Sequence, residues 1–281
     1  MSLEAPDTER WSERVTVVRG LNPGPFTGPG TNTYLVGTGD RPFLIDTGSG
    51  KLGYVPLLAR SLDEGGREPG EILLTHVHPD HIGGVADVLN AYGPRKVYKH
   101  PWPEKDALYD FPLERLDHGD VFTTEGATLR AIHSPGHALD HICFLLEEER
   151  AIFTGDVVLG AGTTVISQDG GDMKDYLESL QSLLELAPDR IYPGHGPAID
   201  DATRRLGAYL EHRLERERQI LRALADGPLT IPDMVRRIYT TTPVELHPAA
   251  GMSVLSHLTK LAAESLVRAP ENPERDAWTL Q

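Results

Sequence analysis

The sequence lacks the features that mark secreted and membrane-spanning proteins. It contains a single cysteine, Cys143, so no intrachain disulfide can form, and this composition is typical of a reducing compartment. No basic segment followed by an apolar run opens the chain, so no signal peptide is expected. No apolar stretch has the length needed to span a bilayer. These absences predict a cytoplasmic protein that does not contact a membrane.

Basic charge is also scarce. The chain has 27 Lys and Arg residues against 42 Asp and Glu residues, which gives a formal net charge of −15. Residues 212–281 are neutral, so the whole acidic excess lies in residues 1–211. Such an acidic body argues against tight binding that depends on contacts to nucleic acid phosphates. It is compatible with divalent cations, because metal sites need acidic and imidazole ligands.

The first two thirds of the chain alternate short apolar runs with Gly, Pro and Asp, which predicts a layered α/β domain with large sheets. From Ala202 to Ala225 leucines recur at helical spacing, and Gly227-Pro228 ends this helix. Two shorter helical segments and a strand-like Ser265–Arg268 follow. This order indicates a small winged-helix-like module, and a helical cap that completes the core is the alternative. We therefore predict two domains, residues 1–211 and 212–281.

Side chains capable of metal chemistry are concentrated in one short segment, Thr75-His76-Val77-His78-Pro79-Asp80-His81. His76 and His78 are two residues apart, so in an extended segment their side chains point the same way. Asp80 and His81 lie where the next helix begins, and adjacent residues there diverge towards a second centre. Without a metal, each of these buried groups would need a hydrogen-bond partner. The segment therefore predicts a two-metal site.

Three further loops each offer one ligand at the end of a predicted strand. They carry His137, Asp156 and His195, and each ligand has a glycine next to it that allows a sharp turn. Together with the first segment they supply five imidazoles and two carboxylates and no thiolate. Such a ligand set suits zinc, iron or manganese.

The His-x-His-x-Asp-His motif, followed by separated His, Asp and His, resembles the metallo-β-lactamase superfamily. The resemblance implies an αββα four-layer sandwich with the metals at the edge between the sheets. It implies that one ion is held by His76, His78 and His137, the other by Asp80, His81 and His195, with Asp156 bridging them. The best-known zinc β-lactamases have cysteine in place of Asp156, so hydrolysis of β-lactams is not expected.

Segments outside the metal motifs resemble one branch of this superfamily, the β-lactamase-like protein 2 family. They are Asn22–Phe26, Gly30–Gly37, Leu145–Glu149, Gly155–Val165 and Ile191–Pro197. This resemblance implies a C-terminal winged-helix-like extension and a zinc-dependent endoribonuclease that acts on single-stranded RNA. Other relatives with the same motifs hydrolyse acyl thioesters, and the spacing of His137 and His141 is similar to that of glyoxalase II. We therefore expect a hydrolase of RNA, with acyl thioesters as the alternative substrates and a non-catalytic interaction protein as a third hypothesis.

Asp80 is the predicted catalytic residue. Two metal ions about 3.5–4 Å apart share a water molecule and lower its pKa to roughly 7, and Asp80 is placed to orient the resulting hydroxide and take its proton. Weaker predictions assign His141, Thr31 and Asn32 to contacts with the metal ligands or the substrate. The alternatives are a structural role for His141 and a strand cap at Thr31 and Asn32. The other histidines have no ligand partners nearby in sequence and are predicted to be structural or exposed: His100, His118, His133, His212, His247 and His257.

Overall fold

The computed structural model describes residues 5–62 and 66–281. The chain divides into two units. The first comprises the described residues of Met1–Ser134, Asp140–Thr163 and Leu186–Thr203. The second comprises Pro135–Leu139, Thr164–Glu185 and Arg204–Gln281.

A seven-stranded sheet in the described part of the first unit follows chain order, with strands β1 (Thr8–Arg10), β2 (Val15–Arg19), β3 (Asn32–Val36), β4 (Phe43–Ile45), β5 (Ile72–Leu73), β6 (Val97–Lys99) and β7 (Glu114–Arg115). The first four strands are antiparallel, and β4 to β7 are parallel. The strands β2 and β3 are rich in Val and Thr, which favour extended backbone. Parallel strands place their carboxyl ends at one edge, and the segment with the predicted metal ligands His76 to His81 follows β5 there.

A five-stranded sheet completes this unit, with β8 (Val121–Thr124), β9 (Ala127–His133), β10 (Ile142–Leu146), β11 (Ala151–Gly155) and β12 (Arg190–Pro193). Its strands are antiparallel except for β11 and β12, which are parallel. The two sheets share one apolar core. In this core the ring of Tyr34 from the first sheet contacts that of Phe153 from the second, with centroids 4.9 Å apart.

Four helices lie in the described part of the first unit: α1 (Tyr54–Leu62), α2 (Pro79–Ile82), α3 (Val85–Tyr92) and α4 (Pro103–Asp106). The sequence pattern predicts one helix over Ile82–Tyr92, but α2 ends at Ile82 and α3 starts after Gly83-Gly84. A Cβ atom on Gly84 would lie 2.1 Å from the carbonyl oxygen of Thr47, so only glycine allows this close approach. The break separates the short helix that carries Asp80 and His81 from α3.

The second unit contains α5 (Met173–Glu185), α6 (Ala202–Ala225), α7 (Ile231–Ile238) and α8 (His247–Ala263), with α6 belonging to it from Arg204 onwards. The strands β13 (Val267–Arg268) and β14 (Thr279–Leu280) pair antiparallel after α8. A separate apolar core includes Leu224, Met234, Val254 and Trp278. The helix predicted over Ala202–Ala225 is confirmed, and the domain boundary predicted at residue 211 falls inside it.

The helix α7 begins with a reciprocal cap. The Thr230 hydroxyl accepts a hydrogen bond from the Asp233 backbone N–H, and the Asp233 carboxylate accepts one from the Thr230 backbone N–H. Pro232 follows in the first turn, where a missing N–H costs nothing. Across the residues that the structure describes, no helix has both the length and the apolar character that crossing a membrane requires.

Candidate metal centre

The segment after β5 brings His76 and His78 together. The Thr75 carbonyl accepts a hydrogen bond of 2.7 Å from the Ile142 backbone N–H, which ties the end of β5 to the first residue of β10. His76 is buried, and its Nε2 lies 2.9 Å from Nδ1 of His78. The two imidazoles therefore face each other as the spacing predicts.

The next two ligands start α2. Pro79 occupies the first position of this helix. Proline is tolerated there because the backbone N–H groups of the first turn have no acceptor within the helix, so its missing N–H loses no hydrogen bond. Asp80 and His81 follow, and the Asp80 Oδ2 lies 3.5 Å from the His81 Nε2. Adjacent residues at the start of a helix were expected to diverge, but the ends of these two side chains converge.

The loops after β11 and β12 complete this group. The Asp156 Oδ1 lies 3.5 Å from the His81 Nε2 and 3.2 Å from the His195 Nε2. The Asp80 Oδ2 lies 3.4 Å from the same His195 nitrogen. A Cβ atom on the neighbouring Gly194 would lie 2.6 Å from the Asp156 Oδ1, so glycine is required where the two loops meet.

These separations fit a shared metal ion. Ligand bonds of about 2.1 Å in a tetrahedral site put neighbouring ligand atoms about 3.4 Å apart, close to the 3.2–3.5 Å found between these four side chains. The buried His81 Nε2 also has no hydrogen-bond partner among the described residues. Among the described residues of the first unit, two overlapping triads could hold a metal ion: His76 with His81 and Asp156, and Asp80 with His81 and His195. The nitrogen and oxygen donors fit a divalent metal such as zinc, iron or manganese.

The electrostatics of the group favour a bound positive charge. Burial raises the pKa of Asp156, but His195 and His81 outweigh it and hold that pKa well below its usual range. Burial lowers the pKa of His81, but Asp80, Asp46 and Asp156 raise it well above its usual value. The carboxylates therefore stay ionised and attract a cation. Without a metal this cation is a proton on an imidazole, and a bound metal ion would replace that proton.

Asp46 contacts a predicted ligand, and the sequence patterns did not identify it. It is buried at the end of β4 with a left-handed backbone (φ 57°), and its Oδ2 lies 2.7 Å from the His81 Nδ1. A carboxylate only accepts hydrogen bonds, so the His81 Nδ1 donates and the lone pair of Nε2 faces the ligand group. The Asp46 Oδ1 also accepts the Thr75 backbone N–H at 2.8 Å. One sequence feature could have identified Asp46: an acidic residue, in Asp46-Thr47-Gly48, directly after a buried apolar strand.

Thr31 and Asn32 hold ligands in place. The Thr31 hydroxyl donates to the Asp80 Oδ2 at 2.8 Å. The Asn32 amide donates to the carbonyl oxygens of Pro193 and Gly196 at 2.8 and 2.9 Å, on either side of His195. Both residues therefore lie beside predicted ligands, and their role in binding stays a prediction.

His141 lies behind Asp156. Its Nε2 accepts a hydrogen bond of 3.1 Å from the Asp156 backbone N–H, and its ring stacks on that of His76 with centroids 4.8 Å apart. A neutral imidazole carries a proton on only one of its two nitrogens. Because the His141 Nε2 accepts a hydrogen bond, the proton is on Nδ1. His141 is thus placed to orient two predicted ligands, and its role in binding stays a prediction.

A second buried charge group, also absent from the sequence predictions, lies in the first unit. The Lys99 ammonium is buried and lies 2.7 Å from the Asp140 Oδ2 and 2.6 Å from the Asp106 Oδ1. It also donates to the His100 carbonyl at 2.8 Å. Burial raises the pKa of Asp140, and Lys99 opposes that shift. The three residues come from separate segments, so no local pattern connects them.

His137 belongs to the second unit. Its Nδ1 lies 3.0 Å from the Val165 carbonyl oxygen and 3.1 Å from the Thr164 hydroxyl. Because a carbonyl only accepts, Nδ1 carries the proton and the lone pair is on Nε2, the nitrogen that a metal would need. The assignment of His137 to a metal stays a prediction from the resemblance.

Comparison with known families confirms this resemblance. The sequence matches the Metallo-beta-lactamase superfamily over residues 26–195 and the Beta-lactamase associated winged helix domain over residues 230–278. The second match confirms the winged-helix prediction for the C-terminal module. Both sheets of the first unit thus belong to a metallo-β-lactamase fold.

Two relatives cover most of the chain. A Beta-lactamase-like protein 2 homolog of Caenorhabditis elegans is 39% identical over 93% of this chain and 88% of its own length. An Atrochrysone carboxyl ACP thioesterase of Aspergillus chevalieri is 40% identical over 93% of this chain and 85% of its own.

Solved structures agree in fold. A metallo-beta-lactamase family protein from Thermus thermophilus is 25% identical, with a TM-score of 0.80 over 97% of this chain and 100% of that chain. A second protein, solved in a di-iron-bound form, is 32% identical over 68% of this chain and 95% of its own, with a TM-score of 0.53.

Proposed function

The chain belongs to the Metallo-beta-lactamase superfamily and is a metal-dependent hydrolase, and we propose that its substrates are acyl thioesters. The observation that carries this proposal is the similarity to an acyl carrier protein thioesterase across 93% of the chain, in a protein with convergent Asp80, His81, Asp156 and His195 side chains. An acidic chain with net charge −15 also suits an acyl thioester better than a polyanion.

Bound divalent metal ions would supply an acidified water molecule and polarise the carbonyl oxygen of the substrate. The chain supplies the rest. The Thr31 hydroxyl fixes the Asp80 Oδ2, the oxygen that we assign to accept the proton of the attacking water. Asp46 fixes the orientation of the His81 ring, and Asn32 fixes the loop that carries His195. We propose two ions, with zinc or iron as the first candidates.

Cleavage of single-stranded RNA is the second candidate. It is supported by the similarity to Beta-lactamase-like protein 2 homologs and by the winged-helix domain at residues 230–278. The acidic charge opposes it, because a single-stranded nucleic acid is normally bound by a positively charged groove.

One assay compares both candidates. The purified protein is incubated with acyl coenzyme A thioesters, acyl N-acetylcysteamine thioesters and labelled single-stranded RNA under identical conditions. We expect thioester hydrolysis that falls more than about a hundredfold in Asp156→Ala, because even outer partners of metal ligands cost 10–100-fold when removed. Asp110→Ala, which replaces an exposed aspartate of the same unit, is the matched control and should match the wild type. RNA cleavage that depends on Asp156, without thioester hydrolysis, would establish the nuclease instead.

A further inference from the structure

The second unit contains two guanidinium groups without a carboxylate partner. Arg213 is 2% exposed; it donates to the Thr164 carbonyl at 2.7 Å and lies 5.1 Å from the Tyr176 ring centroid. Arg216 is half-buried, with its guanidinium carbon 3.8 Å from the Tyr239 ring centroid. Within the described residues neither arginine forms an ion pair at 4.0 Å or less. Burying an unpaired charge is costly, so an anion would stabilise these groups.

Two histidines accompany the arginines. His257, fully buried on α8, has its Nδ1 3.4 Å from the Glu217 Oε1. Burial, together with the charges of Arg213, Arg216 and His257, lowers the pKa of His212 to about 4. His212, Arg213 and Arg216 are at most four residues apart on α6, and His257 contacts Glu217 of the same helix. We name these four side chains the α6–α8 cluster.

The cluster has unused hydrogen-bonding capacity. Four of its buried nitrogens have no hydrogen-bond partner in the part of the chain that the structure describes: the His212 Nδ1, the Arg213 Nε, the Arg216 Nε and the His257 Nε2. A buried polar atom without a partner is rare in a native protein and points to a bound ligand. Of these nitrogens, the Arg213 Nε and the Arg216 Nε always carry a proton and can donate to an acceptor with several oxygens.

The carboxylates nearest in sequence are already paired with other cations. Both oxygens of Glu217 are bound by the Lys260 ammonium, at 3.0 and 3.1 Å. Glu215 is paired with Arg218 and Arg222, each at 2.7 Å. The protein's own acidic groups therefore leave the charges of Arg213 and Arg216 uncompensated.

We propose that the α6–α8 cluster is a binding site for a phosphate-type oxyanion. Guanidinium groups present donors in a planar fork that matches phosphate oxygens, and the half-buried His212 and Arg216 give the cluster its opening to solvent. A phosphate bound there would accept hydrogen bonds from the orphaned Arg213 Nε and Arg216 Nε and neutralise both arginines.

The cluster lies one residue away from a predicted metal ligand. The Thr164 carbonyl accepts the Arg213 hydrogen bond, and the Thr164 hydroxyl contacts the His137 Nδ1 at 3.1 Å. Inorganic phosphate and phosphate monoesters both present this chemistry.

Isothermal titration of the metal-loaded, full-length protein with inorganic phosphate tests the site itself. Arg216→Gln is expected to weaken phosphate binding at least about tenfold, the loss of one charge-assisted hydrogen bond. Arg218→Gln, on the exposed side of the same helix, is the matched control and should bind phosphate like the wild type. Should Arg216→Gln fold poorly, Arg216→Lys keeps the positive charge and removes the planar donor fork of the guanidinium group. Phosphate binding that is equal in the wild type and in a folded cluster variant would overturn the site.

Discussion

Asp80→Asn is expected to reduce kcat by about 10²–10⁴-fold, the contribution typical of a positioned general base. Asparagine keeps the size of the side chain and an oxygen that can face the His195 Nε2, which lies 3.4 Å from the Asp80 Oδ2. It cannot accept a proton from water at neutral pH. The measurement is the turnover of the best thioester substrate, with the metal content of each preparation determined by mass spectrometry.

The control for this prediction is Asp87→Asn, which changes an exposed aspartate in the first turn of α3. It should retain the turnover and melting temperature of the wild type. Turnover of Asp80→Asn within about threefold of the wild type at equal metal content would contradict the assignment of Asp80 as the base, since a general base contributes about 10²–10⁴-fold.

Lys99→Met is expected to lower the free energy of unfolding by about 3–5 kcal/mol, because it leaves buried carboxylates without their cation. The Asp140 carboxylate is fully buried, and its Oδ1 has no hydrogen-bond partner in the described residues. Removing Lys99 also removes the ion pair of 2.6 Å with Asp106. Chemical denaturation followed by far-UV circular dichroism measures the loss.

Two further variants test whether the lost charge of Lys99 causes the expected loss of stability. Lys51→Met, an exposed lysine of the same unit, should stay within about 0.5 kcal/mol of the wild type. Adding Asp140→Asn to Lys99→Met should recover part of the lost stability, because it removes the uncompensated carboxylate. A Lys99→Met protein as stable as Lys51→Met would show that the ion group contributes nothing to the fold.

The sequence predicted the parts of the metal centre whose geometry is local. The two-residue spacing of His76 and His78 places both rings together, as the 2.9 Å between their nitrogens confirms. The loops that carry Asp156 and His195 follow β11 and β12 as expected, since short apolar runs that end in Gly or Pro are typical of buried strands. The type of each secondary-structure element and the order of the predicted metal ligands can therefore be predicted from the sequence.

Side-chain contacts between residues that are distant in sequence could not be predicted from the sequence. Asp46 and His81 are 35 residues apart, and their contact depends on how β4 and β5 pair. The Lys99 and Asp140 contact likewise requires the folded first unit. Local patterns hold no information on such pairs, so a single sequence without covariation cannot supply them.

The second unit illustrates the same limit. His212 and His257 were predicted to be structural or exposed, because neither has a ligand-type neighbour in sequence. Only the packing of α8 against the rest of its unit brings His257 near Arg213 and Arg216, as the effect of those charges on its pKa indicates. Burial is the largest cause that lowers this pKa. The anion site that we propose is therefore a product of tertiary structure.

Hydrolysis that depends on the metal ions of the Asp80–His81–Asp156–His195 group is the property on which the proposed function rests. The most direct measurement is a metal titration of chelated protein, with bound metal and thioester hydrolysis followed in the same samples. We expect no hydrolysis without metal, and activity that rises with bound metal to a plateau near about two ions per chain, as in two-metal hydrolases. Full activity in protein that contains no measurable metal would contradict this dependence.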